Sequence, residues 1–176
     1  MKAIKLLLFS FLLCSLYNCK EDKPIEVVEE DPVVSTFYFI RHAEKDRTDP
    51  ENLDPELNQD GLGRAMLWAE ILDDVAIDLV YTTDYERTSM TAAPVAVKKD
   101  ISIQYYSPDE INIEEFKSVN EGKNVLVVGH SDTTPEFVNK MLGEQKYGPM
   151  DDFDNGSLFI VRLVGDKATD IHLKFN

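Results

Sequence analysis

Asn124-Val125-Leu126-Val127-Val128-Gly129-His130-Ser131 decides the fold. Its first six residues are apolar without alternation, as a parallel strand covered on both faces must be. A second strand lies upstream in Thr36-Phe37-Tyr38-Phe39-Ile40-Arg41-His42-Ala43-Glu44-Lys45, where an apolar run ends abruptly in a guanidinium and an imidazole. Further strand patterns occupy residues 78–83, 101–106, 157–164 and 168–175, the last two flanking Gly165-Asp166-Lys167 as a closing hairpin.

Helical patterns fall between these strands. From Gly61 to Leu72, helical spacing predicts a core face of Leu62, Ala65, Met66, Ala69 and Leu72. Asp84 is the expected N-cap of a helix through Val97, which Pro94 should kink or end. Pro108 should open a helix to Val119 with Asp109 and Glu110 in its first turn, and Thr134 should cap another with Pro135 at its first position. Strands alternating with helices predict a three-layer α/β/α sandwich with a mainly parallel central sheet and a C-terminal hairpin.

The chain has 176 residues, enough for one domain with a proper core. Hydrophobic content of 43% beside 29% charged residues is that of a folded soluble protein. With 33 acidic against 18 basic residues, the surface field should repel nucleic acid and anionic headgroups, so an anionic substrate needs a locally positive pocket.

Residues 1–18 have the character of an export signal: Lys2 and Lys5 precede an apolar run from Leu6 to Tyr17. That run is shorter than the roughly 20 apolar residues of a membrane span. Leu16-Tyr17-Asn18-Cys19 resembles a bacterial lipoprotein signal, which implies lipidation at Cys19 and a place in the cell envelope on a membrane anchor. Cys14 and Cys19 both belong to this segment, so the domain has no disulfide framework. Residues 19–35, acidic and containing Pro24 and Pro32, read as an extended tether, leaving 36–176 as the domain.

In parallel α/β sheets ligands bind beyond the C-terminal strand ends. Arg41 and His42 follow the first strand, Arg87 the second, and His130 the fourth, where Gly129 would admit a ligand to the backbone and the next helix would aim free N–H groups at it. Paired guanidiniums hold phosphate oxygens and favour a neutral, nucleophilic imidazole. The polar loop 46–60 should rim this pocket. No His, Cys or carboxylate pair has a metal-ligand spacing, so neither metal nor cofactor is expected. His172 receives no role, and Arg64, which could reach the pocket from the first helix, is expected to serve at the surface.

Arg41-His42-Ala43-Glu44, Leu57-Asn58-Gln59-Asp60-Gly61, Tyr81-Thr82-Thr83-Asp84 with Arg87-Thr88, and Val128-Gly129-His130-Ser131 resemble, in order, the motifs of the phosphoglycerate mutase-like histidine phosphatase superfamily. Ala43 and Asn58 stand where many members have glycine and threonine. The resemblance implies a phosphomonoesterase that is phosphorylated on His42, with Arg41, Arg87 and His130 holding the phosphoryl group of a small substrate. It places the proton donor at Asp109 or, alternatively, Glu110; Asp132 is a weaker candidate, akin to the acid of the acid-phosphatase branch. The short connection from Tyr106 to Asn124 favours a phosphatase similar to the small phosphohistidine phosphatases. A mutase-like phosphotransferase and a non-catalytic phospho-ligand-binding lipoprotein are the alternatives.

Overall fold

The computed structural model describes residues 31–175. The export segment 1–18, Cys19 and most of the tether lie outside the described residues. The elements are β1 (Val34–Arg41), α1 (Gln59–Ile71), β2 (Leu79–Thr82), α2 (Glu86–Lys99), β3 (Ile103–Tyr105), α3 (Ile113–Val119), β4 (Asn124–Gly129), α4 (Thr133–Leu142), β5 (Ser157–Val164) and β6 (Lys167–Lys174). One sheet runs in the order β3-β2-β4-β1-β5-β6. The first four of these strands are mutually parallel, and β5 and β6 add an antiparallel hairpin at one edge.

The unalternated strand β4 has apolar partners on both faces. Leu126 and Val128 join Ile40 and Val80 beneath Trp68 and Leu72 of the α1 region and Ala92 and Val95 of α2. Val125 and Val127 join Phe37 and Phe39 beneath Phe116 of α3 and Phe137, Val138 and Met141 of α4. This is the expected three-layer α/β/α sandwich. At roughly 25 cal/mol per Å² of apolar surface, these two layers are the main stabilising term in a domain without disulfides.

Local expectations for five elements are corrected. Strand β1 begins at Val34, two residues inside the stretch read as tether. In α1 the buried face is Gly61, Ala65, Trp68 and Ala69, while Leu62 and Met66 are exposed. The helix is turned this way because Gly61 lies against the Glu44 backbone, where a Cβ would stand 2.1 Å from the carbonyl oxygen. Helix α2 continues past Pro94 to Lys99, and its N-cap is Tyr85 rather than Asp84. Helix α3 starts at Ile113 because the Asn112 side chain accepts from the Glu114 and Glu115 N–H groups; Pro108, Asp109 and Glu110 form a turn before it. Helix α4 is capped by Asp132 in place of Thr134, so Pro135 stands third.

Strand register is what positions the site. Arg41 pairs with Gly129 across β1 and β4, so the residues that follow, His42 and His130, emerge side by side. The His42 N–H extends the ladder by one bond, donating to the Gly129 carbonyl at 2.9 Å.

Candidate active site

A cavity of about 420 Å³ opens at the C-terminal edge of the parallel strands, lined by residues that include Arg41, His42, Arg87, Asp109 and His130. Asp132 lines it as well, so the structure brings together six of the seven side chains that the sequence singles out for the site. Glu110, exposed in the turn, is not among the lining residues. Arg64 instead donates to Glu44 at 2.7 Å, and His172 is exposed and stacks on Phe159.

His42 is 3% exposed, and its ring centroid lies 5.5 Å from that of His130. Its Nδ1 is 2.7 Å from the Ala43 carbonyl oxygen. A carbonyl only accepts, so Nδ1 carries the proton and Nε2 the lone pair. Burial lowers the pKa of this imidazole to about 3; the Arg41, His130 and Arg87 charges push the same way, and the Ala43 bond opposes them. His42 is therefore neutral at ordinary pH. Its own carbonyl accepts from Asn155 Nδ2 at 2.8 Å, which fixes the backbone beneath the ring.

The tautomer of His130 follows from its neighbours. Thr88 Oγ1 donates to main-chain carbonyls, leaving its oxygen to accept from Thr83 Oγ1 at 3.2 Å. With its own hydrogen so committed, Thr83 Oγ1 accepts from His130 Nε2, 2.8 Å away. Nδ1 is left as the acceptor for Arg87 Nη2, at 3.5 Å. Burial lowers the His130 pKa to about 4, assisted by Arg87 and opposed by Asp132.

Both arginines are anchored from distant loops. Arg41 is 2% exposed; its Nη1 donates to the Asp151 carbonyl at 2.9 Å and its Nη2 to Asp152 Oδ1 at 2.8 Å. The other Asp152 oxygen accepts from Arg47 Nη1 at 2.7 Å. Hydrogen bonds from Arg47 first, and then from Arg41, bring the Asp152 pKa down to about 2. Arg87 donates to Asp54 at 3.1 Å and lies over the Tyr85 ring. The Nε atoms of Arg41 and Arg87 are buried with no hydrogen-bond partner among the described residues. A buried donor left unpaired costs on the order of 1–3 kcal/mol, and a bound oxyanion would remove that cost.

Gly129 does not face a ligand as expected. A Cβ there would stand 2.8 Å from Thr134 Oγ1 and 3.0 Å from the Tyr106 hydroxyl, so the glycine admits the start of α4. Asp54, Asp152 and Asn155 have no counterpart in the sequence reading, because they lie in aperiodic loops and reach partners far away in the chain. Thr83 stood inside a quoted motif, but its pairing with His130 is set by sheet order, which spacing does not encode. Among the described residues no group of three or more His, Cys, Asp or Glu could hold a metal ion, and no helix is long and apolar enough to cross a membrane.

Fold and site together define an α/β protein with a pocket of arginines and histidines at the C-terminal edge of its parallel strands. A family model described as histidine phosphatase superfamily (branch 1) matches residues 37–107, which include Arg41, His42 and Arg87. Over that stretch, less than half of its length, the chain is similar to the histidine phosphatase superfamily. Solved structures share the fold. A protein from Agrobacterium tumefaciens described as the phosphohistidine phosphatase SixA is 20% identical, with 80% of this chain and 99% of that chain covered and a TM-score of 0.58. A protein from Escherichia coli described as an alpha-ribazole-5'-P phosphatase is 18% identical, with 80% and 96% covered and a TM-score of 0.62. The protein histidine phosphatase SixA in complex with tungstate is 17% identical, with 79% and 96% covered and a TM-score of 0.62. No curated protein matches the chain.

Proposed function

We propose that the protein is a metal-independent phosphomonoesterase that works through a phosphohistidine on His42. The observation that carries this reading is the Nδ1–H bond to the Ala43 carbonyl, which leaves Nε2 as a buried, neutral nucleophile among guanidiniums. Relatives of this fold are described as phosphatases, and one is described with tungstate, a phosphate-like oxyanion.

In the first step His42 Nε2 attacks phosphorus, a P–N bond forms and the ester P–O bond breaks. The leaving oxygen takes a proton from Asp109, which lines the cavity from the turn after β3. Arg41 and Arg87 stabilise the equatorial oxygens through their unpaired Nε–H groups. The long Arg87–His130 contact yields to a phosphoryl oxygen. The dianion favours protonated His130, which then donates through Nδ1. In the second step water attacks phosphorus, Asp109 takes its proton back from the water, and the P–N bond breaks to release phosphate. Helix α3, seven residues long, leaves the β3–β4 connection short, which favours water as acceptor over a retained phosphoryl group.

We also propose that the mature protein is exported and held in the cell envelope through lipidated Cys19, with residues 20–33 as its tether. Replacement of Cys19 by Ala should then move the protein from the membrane fraction to the soluble fraction.

The test of mechanism is acid-quench trapping with a labelled aryl phosphate. Label should remain on the wild-type protein and be absent from His42→Ala; undiminished turnover by His42→Ala would refute the reading.

A further inference from the structure

Among the described residues, Lys45 is the cation of the cavity whose charge has no ion-pair partner. Three residues after His42, it lines the same cavity. Arg41 and Arg47 share the Asp152 carboxylate, and Arg87 has Asp54. Lys45 makes no ion pair with any acid of the described residues, although it is half-buried and the protein as a whole carries a formal charge of -15. A partly desolvated ammonium without a counter-ion is unfavourable, and an abundance of surface carboxylates would ordinarily supply one.

The position of Lys45 is fixed by main-chain bonds. Its backbone forms an antiparallel bridge with Leu57, between the Asn58 N–H bond to the Glu44 carbonyl at 2.9 Å and the Asp46 N–H bond to the Glu56 carbonyl at 2.8 Å. Burial, followed by the Arg47 and Arg87 charges, lowers the Lys45 pKa, against a smaller opposing pull from Asp152. The backbone that carries this ammonium is thus fixed at the cavity wall.

We propose that Lys45 is a specificity-determining residue that binds a second anionic group on the substrate, so that the preferred phosphate monoester carries a carboxylate or another phosphate close to the ester. This rests on the phosphatase reading of the same pocket. The transferred phosphoryl group takes the unpaired Nε–H donors of Arg41 and Arg87, while the leaving group turns its own anion to Lys45. A neutral leaving group leaves the ammonium unpaired and gains nothing from it.

Non-hydrolysable ligands separate this proposal from the question of turnover. Binding of methylphosphonate, phosphonoacetate and methylenediphosphonate would be measured by calorimetry on the wild-type domain and on Lys45→Met. The wild type should bind at least one of the two doubly anionic ligands about tenfold more tightly than methylphosphonate, the scale of one charge-assisted hydrogen bond. Which of the two is preferred tells a carboxylate from a phosphate. Lys45→Met should erase that preference while affecting methylphosphonate far less, and Lys45→Arg should restore much of it. Absence of any preference, a preference that survives Lys45→Met, or an equal loss for all three ligands would overturn the proposal. Failure of the phosphatase reading would show separately, as absence of hydrolysis by a protein that still discriminates among the phosphonates.

Discussion

Asp152 holds Arg41 by a 2.8 Å bond from the far side of the cavity mouth, and the same carboxylate takes Arg47 at 2.7 Å. The loop after α4 thereby fixes a guanidinium delivered by β1. Removal of the carboxylate leaves Arg41 its main-chain acceptors on Asp151 and Asp154 but frees Nη2 to turn. Asp152→Ala should raise KM for an aryl phosphate about tenfold, the equivalent of one charge-assisted hydrogen bond, with a smaller change in kcat. Equal KM values in the two proteins would show that Arg41 is positioned without it.

Asp54 links another loop to the second arginine. Its carboxylate accepts from the Glu86 N–H at 3.1 and 3.2 Å, capping α2 in place of the absent side-chain cap, and it also holds Arg87. Asp54→Ala should cost about 1 kcal/mol of stability as a lost N-cap and also raise KM. Asp54→Asn keeps an acceptor oxygen for the helix, so it should recover most of the stability and little of the KM. Urea unfolding beside steady-state kinetics separates the two effects.

The two buried imidazoles make stability depend on pH. Their folded pKa values, about 3 for His42 and about 4 for His130, lie below the ordinary value of 6.5 for a free imidazole. The unfolded chain therefore binds protons first. The stability contributed by keeping both rings neutral is complete above about pH 6.5 and is lost as pH falls toward 4 and then 3. Tm should fall through that window. His42→Gln, which removes one of the titrating groups, should flatten the fall, and an unchanged slope would rule out His42 as a source.

The sequence made parts of this structure legible for physical reasons. Strand β4 was readable because it is covered on both faces, and such strands cannot alternate. Arg41, His42, Arg87 and His130 could be grouped from sequence because each stands at, or within a few residues of, the C-terminal end of a parallel strand, where α/β sheets bind ligands. The rotation of α1 was not, since it depends on one close approach, Gly61 to Glu44, that periodicity does not register. The start of α3 was misplaced because Pro108 and Asn112 both signal helix entry, and the Asn112 cap prevails. Asp152 and Asn155 were invisible: each acts on a residue more than a hundred positions away.

The Gly61 contact itself can be tested against a neighbour on the same helix. Both Gly61 and Gly63 lie in α1, where glycine costs about 0.5–1 kcal/mol relative to alanine. At Gly63 a Cβ would meet nothing within 4 Å, so Gly63→Ala should stabilise the domain by about that amount. At Gly61 the added carbon would stand 2.1 Å from the Glu44 carbonyl oxygen, and backbone cannot swing aside as a side chain can. Gly61→Ala must push α1 away from the loop that carries Glu44 and Lys45, and it should destabilise by at least the 1–3 kcal/mol typical of overpacking. It should also weaken activity, because that loop begins at His42. Denaturant unfolding of the two variants should therefore give shifts of opposite sign, and a neutral Gly61→Ala would mean that the helix and the loop are not in contact.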